Sequence, residues 1–360
     1  MTTKLINKST SALLFVFILS IFLMPDGFAK KGGNGGGNGK PPTEPPTDSN
    51  PALVVAGFGR FSDIYVLDAD GGNANRIVRR ASNFTAPAMP TTWTSDGTKI
   101  IWSERNSLSL LMVNADGTNK QTLLARDETM QPWIGGQNNM ASSAFACNGS
   151  SANLLYFLGA ILNEAWWHED FYVLNLDDLT PLPTRLTHNL YERHTTLAVS
   201  PDGKHVATWT VDEPDDGWQS PNSRLEIRDL CQAGLPVLDF WTASDLGLRN
   251  GQQFFARIAW SATDILAISG HNAEGREDEI YLIDLANDPV TATKIIGTDM
   301  PFGEGVSNRR ANWSPDGSVL VFSSNYEIWT LGINTGETNF VIDGVKVRDV
   351  DWRDNWVQNP

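Results

Sequence analysis

The feature that most constrains the fold is a repeated unit that begins with a Trp and a tight turn. Its clearest copy is "NWSPDGSVLVF", from Asn312 to Phe322. Relatives of this copy begin near Thr91, Ser142, Thr195 and Arg257. The units continue with an alternating segment such as "DIYVLDADG" and close with a short fourth segment. Four short strands per unit, at a spacing of roughly 40 residues plus insertions, predict blades of a β-propeller.

The two ends of the chain complete each other. The copy that starts at Ala52 has the later strands of a unit but no Trp strand before them. The final fragment, "VRDVDW", has only the Trp strand. Together they make one composite blade, which closes the ring and leaves no open edge between the first and last blades. The sequence therefore predicts an all-β, six-bladed β-propeller closed by a composite blade from both termini.

The pattern W-S-P-D-G, then I-x-F, then D-I-Y-x-x-D-x-x-G resembles the PD40, or TolB-like, β-propeller repeat. The resemblance covers roughly residues 52–354, with the best-fitting copies at Trp313–Gly317 and Ser200–Gly203. TolB itself carries an α/β domain before its propeller, whereas a polar tether takes that place here. The resemblance thus implies a stand-alone propeller over residues 52–360.

The first 51 residues are predicted to lie outside the propeller. Lys4 and Lys8 precede the apolar stretch Ala12–Met24, which is too short for a membrane-spanning helix. Small residues follow, so residues 1–29 are interpreted as a signal peptide, with a short membrane anchor as the alternative. Residues 30–51 are rich in Gly and Pro and form a disordered tether. We expect an exported protein, periplasmic or extracellular, with no transmembrane segment in the mature chain.

The net charge argues against one class of partner, and the two cysteines leave open whether the chain contains a disulfide. The formal net charge of -15 argues against nucleic acid as a partner. The two cysteines, Cys147 and Cys231, either form a disulfide or remain free thiols, and spacing alone does not decide between them.

Long insertions are predicted on a single face of the ring, at Gly159–Asp170, Val211–Ser223 and Gly270–Asp278. Loops on a rigid scaffold commonly carry binding residues. The first two insertions combine aromatic and acidic residues, and the candidates there are Trp166, Trp167, His168, Glu169 and Trp218. These Trp residues either anchor a partner or fold back to seal the blades. The acidic run around Asp215 is interpreted as solvated charge, not as a calcium loop.

The mouth of the central channel is predicted to be basic. Residues just ahead of the first strands supply Arg193, His194, Arg257, Arg309 and Arg310. Such a ring can receive a carboxylate, or it can balance nearby acidic side chains.

No G-x-S-x-G, H-E-x-x-H or C-x-x-C motif occurs, and six blades use up the folded residues. The favoured function is a non-catalytic, monomeric module that binds an envelope or extracellular protein or peptide through the loop-rich face. No catalytic residue, cofactor or metal is assigned. The alternative is a metal-dependent uronate lyase that uses His168, His194 and His271. The third interpretation is a structural scaffold without a dedicated ligand.

Overall fold

The computed structural model describes residues 52–58, 63–79, 91–104, 109–125, 131–132, 140–147, 149–160, 169–178, 181–188, 192–212, 223–248, 255–271, 278–296, 308–324, 327–342 and 346–353. Every helix or strand assigned in these residues is a β-strand. The described residues accordingly include no helix with the length and apolar character to cross a membrane.

The strands are, in chain order, β1 Leu53–Phe58, β2 Ile64–Leu67, β3 Asn75–Val78, β4 Thr91–Trp93, β5 Lys99–Glu104, β6 Ser109–Asn114, β7 Gln121–Leu124, β8 Gln131–Pro132, β9 Met140–Phe145, β10 Ser151–Ala160, β11 Glu169–Asn175, β12 Thr184–Arg185, β13 Glu192–Val199, β14 His205–Asp212, β15 Arg224–Asp229, β16 Val237–Thr242, β17 Phe255–Trp260, β18 Ile265–His271, β19 Asp278–Asp284, β20 Ala292–Ile296, β21 Asn308–Trp313, β22 Val319–Ser324, β23 Glu327–Gly332, β24 Thr338–Ile342 and β25 Lys346–Trp352.

These strands form six antiparallel sheets, which are the six blades. Blade 1 has the order β25-β1-β2-β3, and blade 2 has β4-β5-β6-β7. Blade 3 contains β9-β10-β11-β12, and the extra strand β8 also pairs with β10. Blades 4, 5 and 6 are β13 to β16, β17 to β20 and β21 to β24. The predicted six-bladed propeller is confirmed.

The composite blade joins the two ends of the folded chain. Strand β25 pairs antiparallel with β1, with Val350 opposite Val55 and Trp352 opposite Leu53. The first strand of blade 1 therefore comes from the C-terminal end of the chain, as the partial units at the two ends predicted. This pairing closes the ring without an exposed edge between blades 1 and 6.

The core lies between blades. Six clusters of buried apolar residues each combine two neighbouring blades, and together they run around the whole ring. The second strands are apolar on both faces because each blade packs against a neighbour on either side, as in the burial of "VLVFSS" in β22. The repeated Trp residues belong to this core, with Trp93 and Trp313 at 0% and 4% exposure.

The turns after the first strands repeat a single geometry. Gly97, Gly203 and Gly317 have φ of 65°, 71° and 70°, a conformation that Gly adopts without a steric penalty. In the last of these turns the Asp316 carboxylate accepts hydrogen bonds from the Ser314 hydroxyl at 2.6 Å and the Ser318 N–H at 3.0 Å. These hydrogen bonds lower the pKa of Asp316. The turns satisfy their own polar groups and end the strands sharply.

Candidate functional site

The ring has two unlike ends. We call one end the turn face, because it carries the tight turns between first and second strands. At the other end the second strands finish and the third strands begin, and we call it the loop face. Its hairpins close on the pairs Ala160 with Glu169 and His271 with Asp278. The first and third predicted insertions start from these pairs, and the second starts from Asp212, which pairs with Glu192 at the same end.

The predicted site residues fall into three groups. Trp166, Trp167, His168 and Trp218 lie outside the described residues. For a second group the structure describes the strand position alone, and these are Glu169 in β11, Arg193 in β13, His271 in β18 and Arg309 in β21. The third group is fully described and buried, and it consists of His194, Arg257 and Arg310. All three lie within first strands, not ahead of them, because those strands begin earlier than the repeat suggested.

Arg257 and Arg310 belong to a buried ionic cluster around the channel, which we call the axis cluster. Its other members are Asp349 and Asp351 of β25. The Nη1 atoms of both arginines approach Asp349 Oδ1, at 3.1 Å for Arg257 and 3.3 Å for Arg310. Arg257 Nη2 lies 2.6 Å from Asp351 Oδ1. Both arginines thus face carboxylates of the chain itself.

The axis cluster also reaches the first strand of blade 2. The backbone N–H of Thr91 donates to Asp349 Oδ2 at 2.6 Å, and the N–H of Trp93 donates to Asp351 Oδ2 at 3.0 Å. Asn312 of β21 donates to Asp351 as well. Burial raises the pKa of the Asp351 carboxyl, and the Arg257 guanidinium opposes that rise. The cluster therefore links the first strands of blades 5, 6, 1 and 2.

A small cavity of about 80 Å³ adjoins this cluster. Its polar lining includes Arg257, Asn312 and Asp351, and its apolar lining includes Met140 and Leu197. A volume of this size holds a few water molecules or one small polar group.

A second buried network lies in blade 4 at the loop face, and we call it the rim network. His194 Nδ1 is 3.1 Å from the Thr210 hydroxyl, which donates to Glu226 Oε2 at 2.8 Å. Glu226 also accepts from Arg224 Nε at 2.6 Å and from Arg228 Nε at 2.7 Å. The network crosses β13, β14 and β15 where the insertion between Asp212 and Ser223 begins and ends.

His194 is fully buried. Burial lowers its pKa well below the ordinary value, and the nearby charges of Arg228 and Arg224 lower it further. The imidazole is therefore neutral at physiological pH. Within the part of the chain that the structure describes, its Nε2 has no hydrogen-bond partner.

Blade 3 supports the neighbouring insertion by a related arrangement. Asp170 pairs with Arg185 of β12 and accepts a hydrogen bond from the Thr187 hydroxyl at 2.7 Å. The same hydroxyl accepts from the Phe171 N–H at 3.0 Å. The ring of Phe171 then lies 4.7 Å from the ring of His194, so the bases of the two insertions touch.

Sequence reasoning missed these supporting residues, although a signal for them was present. An acid two positions before an aromatic residue opens several third strands, as in "DIY", "DFY" and "EIY". In the structure this acid pairs with a cation on the fourth strand. The pairs are Asp63 with Arg76 at 3.1 Å, Asp170 with Arg185, and Glu279 with Lys294 at 3.2 Å.

At the turn face Cys147 and Cys231 form a disulfide, with their Cα atoms 5.1 Å apart. Cys147 follows the first strand of blade 3, and Cys231 lies in the turn between β15 and β16 of blade 4. The pairing that the sequence left open is thus present, and it joins two neighbouring blades. Among the described residues, no group of three or more His, Cys, Asp or Glu side chains is arranged to hold a metal ion.

The fold is similar to solved structures of low sequence identity. A chain of a nidogen/laminin complex is 9% identical, with a TM-score of 0.53 over 84% of this chain and 98% of that chain. A puromycin hydrolase is 14% identical, with a TM-score of 0.47 over 73% of this chain and 40% of that one. An oligogalacturonate lyase from Vibrio parahaemolyticus is 10% identical, with a TM-score of 0.44 and 82% coverage of both chains.

Likeness at such identities shows the fold alone. No protein-family model matches the sequence, and no curated protein matches it. The strand order, the ring of inter-blade cores and the composite blade show that this chain is a six-bladed β-propeller.

Proposed function

We propose that this protein is an exported, TolB-like β-propeller that binds a protein or peptide through the loop face of blades 3 and 4. The observation that carries the proposal is the contact between Phe171 and His194, which joins the bases of the two aromatic insertions. Export rests on the predicted signal peptide, residues 1–29, and the TolB-like assignment rests on the repeat pattern.

The buried ions support this role because they hold the strand ends from which the insertions start. Asp170 is fixed by Arg185 and Thr187, and Glu226 is fixed by Arg224 and Arg228. Binding residues are most effective when rigid elements and hydrogen-bonded neighbours hold them in place. Loops that start from fixed strand ends lose less conformational entropy when a partner binds.

Because Arg257 and Arg310 are buried, we do not propose the channel mouth as the binding surface. Both guanidinium groups lie beside Asp349, so the chain supplies the carboxylate that a ligand was expected to bring. A ligand carboxylate there would have to compete with an ion pair that is already formed in a buried site. The aromatic insertions of blades 3 and 4 therefore remain the better binding surface.

The burial of His194 weakens the lyase alternative. His194 was one of three histidines expected to hold a metal at the loop face. Its side chain instead lies inside blade 4, with Nδ1 beside Thr210 and its ring against Phe171. A metal at His194 would require blades 3 and 4 to separate.

The test is capture of partners from an envelope extract by the immobilised mature chain. We expect Trp166→Ala, Trp167→Ala and Trp218→Ala to reduce capture of the same partner while the unfolding midpoint stays unchanged. Leu182→Ala is the matched control, since Leu182 is 79% exposed and lies outside the insertions. If all three Trp variants capture the partner as well as the unmodified chain does, the proposal is wrong.

Elemental analysis of the untagged protein tests the alternative. The lyase alternative predicts near-stoichiometric metal that disappears in His194→Ala, together with cleavage of an acidic polysaccharide. If both are observed, the protein is a lyase and not a binding module.

A further inference from the structure

Every blade ends in an outer strand whose far edge has no strand partner in the described structure. Such edges are templates for pairing with another chain, and proteins commonly blunt them with polar or charged side chains. All six outer strands carry such residues, namely Arg76 in β3, Gln121 in β7, Arg185 in β12, Asp239 in β16, Lys294 in β20 and Asn339 in β24. None of the six strands is apolar along its length.

The outer strand of blade 4, β16, differs from the others in how many large apolar side chains it exposes. Its sequence "VLDFWT" exposes Val237, Leu238 and Phe240 at 41%, 52% and 54%. Among the described residues only two other large apolar side chains are comparably exposed, Leu182 and Phe340. The exposed apolar surface is thus concentrated on a single open edge, which is typical of an interaction site.

The backbone of β16 is also available on that edge. The Ala243 N–H, just after β16, donates to the Ser223 carbonyl, just before β15, at 3.3 Å. Hydrogen-bonded pairs alternate along an antiparallel ladder, so Phe240 and Thr242 direct their N–H groups outward. The Phe240 N–H donates to Asp239 Oδ1 at 3.0 Å, and the Thr242 N–H donates to Asp245 Oδ2 at 2.9 Å. Side-chain carboxylates occupy these donors, and the carbonyl groups of an added strand can replace them.

The charge of the edge favours a particular partner. Asp239 is exposed at the centre of β16 and has no ion-pair partner in the described part of the chain. A second copy would bring another Asp239 and another net charge of -15 to the same edge, which opposes self-pairing. A strand that carries Lys or Arg opposite Asp239 would draw this carboxylate away from the Phe240 N–H and free the donor for pairing.

We propose that β16 is a docking edge for an extended segment of another protein, with apolar residues on either side of a central Lys or Arg. The segment adds a fifth strand to blade 4. Backbone hydrogen bonds hold it, and Leu238 and Phe240 select its apolar side chains. This surface is separate from the loop face, so the inference goes beyond the proposed function.

The disulfide fixes the turn from which β16 starts. Cys231 lies in the turn that leads into β16, and its bond to Cys147 ties this turn to blade 3. The Asp229 carboxylate holds the same turn through the Cys231 N–H at 2.8 Å and the Gln232 side chain at 2.7 Å. A strand fixed at its start loses little freedom when a partner pairs with it.

The experiment selects peptides from a displayed random library on the mature chain with its disulfide intact. Leu238→Lys serves for counter-selection, and binding of the selected peptides is measured by fluorescence anisotropy. We expect peptides with a basic residue between apolar ones, bound about tenfold or more weakly by Leu238→Lys and Phe240→Lys. Asn339→Lys, which introduces the same residue on the outer strand of blade 6, should leave binding unchanged.

Reversal of the central charge sharpens the test. Asp239→Lys should weaken binding of the selected peptide and favour a version with Glu in place of its central basic residue. Trp166→Ala should leave peptide binding at β16 intact, which separates this proposal from binding at the loop face.

Three results would overturn the proposal. The first is a selection that yields no peptide sensitive to Leu238→Lys. The second is selected peptides without a basic residue, or with affinity unchanged in Asp239→Lys. The third is concentration-dependent dimerisation in sedimentation experiments that Leu238→Lys abolishes, because a second copy would then be the occupant.

Discussion

The axis cluster and the rim network are both buried and ionic, but they join different parts of the molecule. The axis cluster connects first strands of four blades through Asp349 and Asp351. The rim network crosses three strands of blade 4 through Glu226. We infer that the axis cluster stabilises ring closure, whereas the rim network mainly fixes the strand ends that carry the insertions. Stability and capture measurements on variants of the two networks test that division.

The largest effect is expected at Asp349. Asp349→Ala removes the carboxylate that faces Arg257 and Arg310 and leaves both guanidinium groups buried beside less negative charge. We expect the free energy of unfolding to fall by about 3–5 kcal/mol, as for other broken buried ion pairs. Urea unfolding followed by tryptophan fluorescence measures it.

Glu337→Ala, at an exposed carboxylate, is the control for this measurement. If Asp349→Ala lowers the free energy of unfolding no more than Glu337→Ala does, the axis cluster does not stabilise ring closure.

The disulfide is a covalent link between blades 3 and 4, and the effect of its removal should come next in size. The double variant Cys147→Ser, Cys231→Ser opens a connection across 84 residues. The expected loss is about 2–4 kcal/mol, because the unfolded chain regains conformational freedom. Reduction of the unmodified protein should lower the free energy of unfolding by the same amount, and with it the urea midpoint. An unchanged midpoint after complete reduction contradicts the prediction.

The rim network should contribute less to global stability. Glu226→Gln keeps an acceptor for Thr210 but removes the charge beside Arg224 and Arg228. We expect a loss of about 1.5–3 kcal/mol, together with weaker partner capture at the loop face. The unfolding midpoint and the capture assay are measured on the same preparation.

Asp63→Asn, in a partly exposed pair with Arg76, gives the matched control. If Glu226→Gln costs as much stability as Asp349→Ala and leaves capture intact, the division between the two networks is wrong.

The smallest expected effect is on the pH dependence of folding stability, and it comes from His194 of the rim network. The pKa of His194 is lowered in the folded state, so below about pH 6.5 the unfolded chain binds a proton that the folded chain does not. Stability from this group is complete above that pH and is lost as the pH falls toward the lowered pKa. The slope is at most about 1.4 kcal/mol per pH unit.

His194→Gln removes the titrating group and should flatten the stability profile between about pH 7 and pH 5. Urea unfolding at several pH values provides the comparison with the unmodified chain. Identical slopes in both proteins would mean that His194 is not buried in solution as it is in the structure.

The fold was predictable because the repeat carries its own geometry. Gly97, Gly203 and Gly317 mark turns that require positive φ, and the apolar runs after them are long enough for one strand each. The partial units at the two ends predicted the pairing of β25 with β1. The extra strand β8 in blade 3 was not predicted, since the two residues Gln131 and Pro132 carry no strand pattern.

The site was predictable only in part. The sequence drew attention to Arg257 and Arg310 as basic residues near the channel, but it gave no sign that Asp349 would lie between them. Arg257 and Asp349 are 92 residues apart and meet only when the ring closes. His194 was interpreted as a loop-face histidine, and its burial follows from contact between blades 3 and 4.

The sequence by itself determined the repeated four-strand unit, its tight turns, the number of blades and the use of both termini in one blade, because these depend on local spacing and backbone preference. Only the tertiary structure decided which charged groups pair, whether the cysteines meet and which outer strand exposes its apolar side chains. These features depend on distances between blades, and packing around the ring sets those distances.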